Sequence, residues 1–389
     1  MAHSRALGGL NLHVRVFWSR LVAPIDPPVM AICGALVAYG LLVLASASSD
    51  SPARWNTQLI NIGVALIAMR LIAQVPPQAL MRLAIPAYLA GILLLVAVAV
   101  AGDVSKGARR WLNLGVMRIQ PSELMKIAVP LMLAWYFQRR EEALRLRDFV
   151  VAGFLLLAPV ALIAKQPDLG TAVLVLAAGL SVIYFAGLSW KLIVPALLAG
   201  VIAVVALLSA GDRLCSPEVS WPGFKEYQKH RICTLLDPES DPLGKGFHTI
   251  QSTIAVGSGG VAGKGWMKGT QAHLDFLPER HTDFVFAVLA EEFGLAGNLI
   301  LLILCSLLIG RGLVIAAGAP TLFARLLAGS VTLIYFTYAF VNIGMVTGIL
   351  PVVGVPLPFV SYGGTAMVTL FAGIGILMSI ARNRTLVQT

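Results

Sequence analysis

Apolar residues form long runs at 29–47, 57–75, 83–101, 121–137, 149–164, 169–186, 191–209, 284–310, 326–346 and 362–381. A helix rises about 1.5 Å per residue, so about 20 apolar residues cross the ~30 Å hydrocarbon layer of a bilayer. Each run reaches or nearly reaches that length, and the pattern predicts ten transmembrane helices. Polar residues gather in short connections and in one long stretch, 210–282. The segment 344–364 is apolar but carries three prolines, Pro351, Pro356 and Pro358. It cannot be a regular span and is predicted as a re-entrant or outer-rim segment packed against protein.

Composition narrows the class. The chain has 389 residues, of which 58% are hydrophobic and 12% charged, with mean hydropathy +0.84. Soluble domains carry about 45–50% apolar and about 25% charged residues. A soluble globular protein, a disordered chain and a coiled coil are thereby excluded, leaving an all-α multispanning membrane protein. The net charge of +10 would suggest nucleic acid in a soluble protein. Here it is explained by the positive-inside bias of cytoplasmic loops, and no nucleic-acid partner is expected. Arg139, Arg140, Arg145 and Arg147 crowd one connection, with Arg70, Arg82, Arg311, Arg325, Arg382 and Arg384 on the same face. With an even number of spans, both termini are then cytoplasmic. Residues 1–25 carry Arg5, Arg15 and Arg20 without an early apolar run, so no cleaved signal peptide is expected. The predicted organisation is a cytoplasmic segment 1–25, one membrane domain 26–384 and a short tail 385–389.

Against that topology one outer connection is positive. SKGARRWLNLGVMR (105–118) holds Lys106, Arg109, Arg110 and Arg118 beside Trp111 and no acid. Either these side chains snorkel to lipid headgroups or they meet an anionic group at the outer surface. QPSELMK opens the fourth span with proline at its first turn and places Gln120, Glu123 and Lys126 on one face. Glu123 and Lys126 pair at i, i+3, or mark a substrate path; the two readings are compatible. Asp168, in the outer turn KQPDLG, reads by itself as a helix cap. The long loop ends in LPERHTDF, which contains Glu279 and Asp283. Thr282 is a plausible N-cap, and Asp283 in the first helical turn would stay ionised and could act as a base. Glu291, about 12 Å deeper on the same helix, and Glu292 are further candidates, since buried acids in membranes mark sites by default.

Two motifs fail. The stretch 257–265, GSGGVAGKG, has serine where a phosphate loop needs its first glycine and glycine where it needs Ser or Thr. The six histidines show no metal spacing.

SKGARRWLNLG, QPSELMKIAVP, QPDLGTA, DPESDPLGKGFHTIQS, IAVGSGG, LPERHTDFVFAVLAEEFG and GILPVVGVPLPFVSYGG occur in this order. Over about 26–384 the chain resembles the shape, elongation, division and sporulation polymerases, and among them the elongation members. The resemblance implies a peptidoglycan glycosyltransferase of the cytoplasmic membrane that polymerises lipid II at the outer face, beside a class B penicillin-binding protein. It places the catalytic carboxylate on Asp283, and substrate or catalytic roles on Arg110, Trp111, Glu123, Lys126 and Asp168. Lys106, Arg109, Gln120 and Glu279 complete the substrate-binding candidates. Such a reaction uses the lipid pyrophosphate as leaving group and needs no ATP. It needs a base, and cations such as Arg110 and Lys126 on the pyrophosphate; Mg2+ or Mn2+ could assist but is not required by the sequence. The competing class is a lipid II flippase or other transporter.

The stretch 214–224 is longer than the family pattern, leaving its conformation open. Cys215 and Cys233 both lie in the long outer loop, while Cys33 and Cys305 lie within spans. In an oxidising compartment the first two are predicted to form a disulfide worth about 3 kcal/mol; the alternative is two unpaired thiols.

Overall fold

Prolines open four of the first five long helices. In the computed structural model, which describes residues 26–49, 51–105, 108–113, 118–141, 144–216, 219, 226–237, 245–273, 277 and 279–385, α1 (Pro27–Ala47), α2 (Pro52–Ala73), α3 (Pro77–Ala101) and α4 (Pro121–Gln138) each carry proline in the first turn. Proline loses nothing there, because the first N–H groups of a helix have no intrahelical acceptor. α5 (Leu146–Lys165), α6 (Leu169–Phe185) and α7 (Trp190–Ser209) follow. After the outer region come α12 (Val285–Ala317), α13 (Leu322–Val346) and α14 (Gly364–Thr385). These ten helices match the predicted apolar runs in position. Seven of them, α1, α2, α3, α5, α12, α13 and α14, are long and apolar enough to cross a membrane. α6 is short at 17 residues, and α4 is diluted by Glu123 and Lys126 near its start.

α13 and α14 are the most enclosed of the spanning helices, 72% and 67% buried over their most apolar stretch. α13 packs on α4, α6, α12 and α14, while α14 lies along α2, α1 along α12 and α3 along α4. Outward faces carry exposed Ile60, Ile67, Leu93, Phe154 and Ile202, as lipid contact requires. On the side assigned to the cytoplasm, Arg311 donates twice to the Asp26 carboxylate, at 2.6 and 3.2 Å, tying α12 to the cap of α1.

The positive outer connection is structured, which its charge pattern had not suggested. β1 (Asp103–Ser105), β2 (Ala108–Asn113) and β3 (Arg118–Ile119) form a small antiparallel sheet in the order β1-β2-β3. The long outer loop contains α8 (Gly211–Leu214), α9 (Glu226–Leu236), α10 (Lys245–Ser258) and α11 (Thr270–His273). Cys215 and Cys233 are joined by a disulfide, with Cα atoms 5.6 Å apart. Buried Lys229 donates to the carbonyls of Ser216 and Val219, at 2.8 and 2.6 Å, holding α9 against the same turn. Most of the stretch 214–224 lies outside the described residues.

The glycine stretch that failed as a phosphate loop has a structural task. α12 breaks at Gly294, where φ is 62°. The carbonyls freed by the break accept from the loop: Lys264 N–H bonds Glu291 O and Gly265 N–H bonds Glu292 O, both at 3.0 Å. In return Leu295 N–H donates to Gly260 O at 2.9 Å and Ala296 N–H to Val261 O at 3.1 Å. The loop backbone thus replaces the missing helical ladder, as irregular backbone in a membrane must be satisfied by protein. Residues 295–317 alone rise about 34 Å, enough to span. Glu291 lies on the short helical segment that precedes the break at Gly294.

A methyl group at Gly294 would strike Gly263 N and lie 2.8 Å from the Val261 carbonyl. Gly294→Ala should therefore destabilise the protein by at least about 1–3 kcal/mol, the cost of placing a side chain in a backbone conformation essentially reserved for glycine, read as a lower melting temperature in detergent. Gly310→Ala, which meets nothing within 4 Å, should melt with the wild type. Intact-mass measurement of the unreduced, denatured and alkylated protein should show two modified cysteines, Cys33 and Cys305, and four after reduction.

Candidate active site

Three connections come together around the start of α4, α6 and α12. At the first, α6 opens on Asp168. Its Oδ1 accepts from Thr171 N–H at 3.3 Å, and its Oδ2 from Gln120 Nε2 at 2.9 Å and Ser122 Oγ at 3.3 Å. The capping role of Asp168 is real, but two donors from the start of α4 converge on the same buried carboxylate. On β2 Arg109 is exposed and Arg110 half-buried. Arg110 Nη2 donates to the Pro167 carbonyl in the turn just before Asp168. Its Nε is buried and has no hydrogen-bond partner among the described residues. Trp111 is half-buried and pairs across to Asp103, while Arg118 is exposed. Lys106 lies outside the described residues.

One turn into α4, Lys126 is 2% exposed. Its Nζ donates to Glu123 Oε1 and to Tyr338 Oη, each at 2.5 Å, and lies 4.9 Å from the Tyr338 ring centroid. The predicted i, i+3 pair is therefore formed, with a phenol from α13 as third member. Gln120 and Lys126 point from one face of α4 toward α6 and α13, as their spacing required. Glu123 Oε2 is buried without a hydrogen-bond partner among the described residues, so the pair has one acceptor in reserve.

Asp283 does not sit in the first helical turn. α12 begins at Val285, and Asp283 belongs to a tight turn, 279–284, organised by Glu279 at φ 54°. The Glu279 carbonyl accepts from Thr282 N–H at 3.0 Å and Phe284 N–H at 3.3 Å. Thr282 is no N-cap, because the helix starts at Val285 with Phe284 in the cap position; its hydroxyl donates to Glu279 Oε2 at 3.1 Å. Buried Arg280 anchors the turn to the end of α1 through Nε to Ala47 O at 2.9 Å. Three successive carbonyls of the turn are then held from outside. His281 O accepts from Tyr362 N–H at 2.9 Å, Thr282 O from Ser361 Oγ at 2.6 Å and Asp283 O from Asn342 Nδ2 at 2.8 Å.

The donors come from α13 and from the segment 347–363, irregular and buried at Val355, Leu357, Phe359 and Val360. It threads between the two acidic turns. A Cβ at Gly170, beside Asp168, would lie 2.8 Å from Val353 O, and one at Gly354 would lie 3.2 Å from Asp283 Oδ2. The segment predicted as re-entrant is thus a shared wall of both turns.

Glu291 is sequestered elsewhere. It accepts from Lys264 Nζ at 2.6 Å and from the N–H groups of Thr270 and Gln271 at 2.8 and 3.1 Å. It caps α11 and pins the glycine loop, a structural duty. Glu292 Oε1 accepts from Ser46 Oγ at 2.5 Å, linking α12 to α1. Sequence reasoning missed Gln58, Tyr338, Asn342 and Ser361. A signal existed for two of them: Tyr338 and Asn342 are polar, sit i, i+4 in an apolar span, and polar groups there need partners.

Chemically, the arrangement offers a half-exposed carboxylate on a fixed backbone, a buried carboxylate already bonded, and cations on one rim. The chain is 50% identical over 374 residues to the peptidoglycan glycosyltransferase MrdB of Escherichia coli K12, covering 96% of this chain and 97% of that one. It is 34% identical to the stage V sporulation protein E of Bacillus subtilis, over 89% of this chain and 94% of the other. Its fold is similar to a chain of a peptidoglycan synthase complex described as coordinating polymerization and crosslinking, with TM-score 0.77, 35% identity and coverage of 93% and 99%. It is likewise similar to the rod shape determining protein RodA of Thermus thermophilus, with TM-score 0.69, 30% identity and coverage of 93% and 98%. The family described as cell cycle protein, which groups FtsW, RodA and SpoVE, matches residues 28–386, and the chain belongs to that family.

Proposed function

We propose that this protein is a peptidoglycan glycosyltransferase that polymerises lipid II into β-1,4 glycan strands during cell elongation and rod-shape maintenance. It works at the outer face of the cytoplasmic membrane, with both termini cytoplasmic. The observation that carries this reading is the half-exposed Asp283 on a turn whose three carbonyls are held from outside. The β-sheet, Asp168 and Asp283 follow the third, fifth and seventh long helices, so they share one end of the bundle. That placement supports a surface reaction over a lipid II flippase, whose sites would bracket the midplane. The match to a chain of a synthase complex supports a class B penicillin-binding protein as partner.

In the mechanism, Asp283 takes the proton of the acceptor sugar 4-hydroxyl as its oxygen attacks the donor anomeric carbon. The bond to the lipid pyrophosphate breaks, and the configuration inverts from α to β. Negative charge develops on the departing pyrophosphate, where the guanidinium groups of Arg110 and Arg109 stand. Lys126 has two of its three N–H groups bound and is buried, so its charge acts through Glu123 and Tyr338 while that clamp stays closed. Trp111, Gln120, Asp168 and Glu279 shape and brace the same rim. No nucleotide is needed. Asp168 is already bonded by three donors, so Mg2+ or Mn2+ would enter with the pyrophosphate and not in a preformed protein cage.

Asp283→Asn keeps the side-chain shape but cannot accept the proton. The purified variant, with its partner, should insert and fold normally while polymerising lipid II about 10²–10⁴-fold more slowly; polymer formation at the wild-type rate would remove Asp283 from the chemistry. Arg110→Ala should weaken lipid II binding, and Arg110→Lys should restore it only in part, because a point ammonium lacks the two-pronged guanidinium geometry. Binding to the three proteins, measured in one detergent, orders them.

A further inference from the structure

Resting on the assignment of Asp283 as the base, we infer that Asn342 is a positioning residue that sets where this base stands. Asn342 is fully buried in α13; its Oδ1 has no hydrogen-bond partner among the described residues, so its polar contacts are those of its nitrogen. Its one nitrogen donates both hydrogens to carbonyls outside any helix: Asp283 O at 2.8 Å and Val355 O at 2.7 Å. These belong to the two irregular segments that face each other at the site. Gly354, adjacent to Val355, is the wall against Asp283 Oδ2. A single amide nitrogen therefore fixes both the backbone carrying the carboxylate and the surface it rests on.

Of the three clamps on the turn's carbonyls, those from Ser361 and Tyr362 belong to the segment 347–363 itself and would travel with it, and Arg280 ties the start of the turn to the end of α1 through Ala47 O. Asn342 reaches out of a regular helix and refers the turn to the rigid bundle. One turn earlier on α13, about 6 Å along the axis, Tyr338 holds Lys126. The base and the Lys126–Glu123 pair are thus spaced by one stretch of helix. Effective reaction geometry is sensitive on this scale, since a 1 Å misplacement of a reacting group costs about 10² in rate.

The test uses the full-length protein in complex with its penicillin-binding partner, polymerising lipid II. Asn342→Asp is nearly isosteric but, when ionised, turns both donors into acceptors facing two carbonyls. It should lower kcat about 10–100-fold with KM for lipid II within about twofold. It should also move the acid limb of the pH–rate profile upward, because a second carboxylate beside the turn disfavours ionised Asp283. Asn342→Ser, smaller and uncharged, retains one donor and should give a lesser fall in kcat at unchanged KM and unchanged acid limb; it carries the test if the Asp variant does not fold. Wild-type kcat in the folded variants, or a loss that follows melting temperature and KM together, would overturn the inference in favour of simple packing. Asp283→Asn is assayed alongside: if it remains active, the base assignment itself falls, whereas an inactive Asp283→Asn beside a fully active Asn342→Ser rejects only the positioning role.

Discussion

Away from water, every peptide group that leaves a helix must find a partner in the protein, and this condition shapes the end of the bundle that carries the acidic turns. The chain leaves regular helix at the glycine stretch around 259–265, at the turn 279–284 and along 347–363. Each departure is closed by another part of the chain. The glycine stretch completes the broken ladder of α12 at Gly294. The turn borrows donors from Ser361, Tyr362 and Asn342, and the long irregular segment is stapled by Gln58, whose Nε2 donates to Ser361 O at 3.3 Å and whose Oε1 accepts from Gly363 N–H at 3.2 Å. Irregular backbone here is consequently as constrained as the helices, which is what a site needs if its groups are to be in place before substrate arrives.

The same accounting sorts the acids. Glu291 and Asp148 are buried but bonded within their own neighbourhoods, Asp148 by Tyr136 Oη at 3.1 Å and the Arg145 N–H at 2.9 Å. Glu123 is balanced by Lys126. Removing one partner of such a buried pair typically costs about 3–5 kcal/mol, so these groups are committed to the fold. Asp283 is placed differently, with its carbonyl held by Asn342 and its side chain half-exposed.

Much of this was legible along the chain, for identifiable reasons. The spans were visible because lipid demands length and apolarity together, and the irregularity of 347–363 because proline cannot continue a helical ladder. The Glu123–Lys126 pair followed from helical spacing. What escaped was set by contacts distant in sequence. The strands of the positive connection are three, six and two residues long, too short for periodicity to register. The start of α12 was placed too early because Thr282 looks like a cap, whereas Glu279, in a left-handed conformation, folds 279–284 into a turn whose N–H groups at Thr282 and Phe284 bond the Glu279 carbonyl. Tyr338 and Asn342 carry a helical spacing, but nothing local says which of many polar residues in spans will meet Lys126 or Asp283.

The Lys126 clamp bears on how the protein is made. Tyr338 lies 212 residues beyond Lys126, which at about 5–20 residues per second amounts to about 10–40 s of synthesis. Throughout that interval α4 must reside in or near the bilayer with its ammonium already made. Glu123, three residues away on the same helix, emerges at practically the same moment and lets α4 partition as a neutral unit. The phenol then completes an arrangement that the nascent segment had already rendered tolerable, so the two halves of the clamp serve different stages in the life of the chain: the carboxylate its insertion, the tyrosine its final assembly.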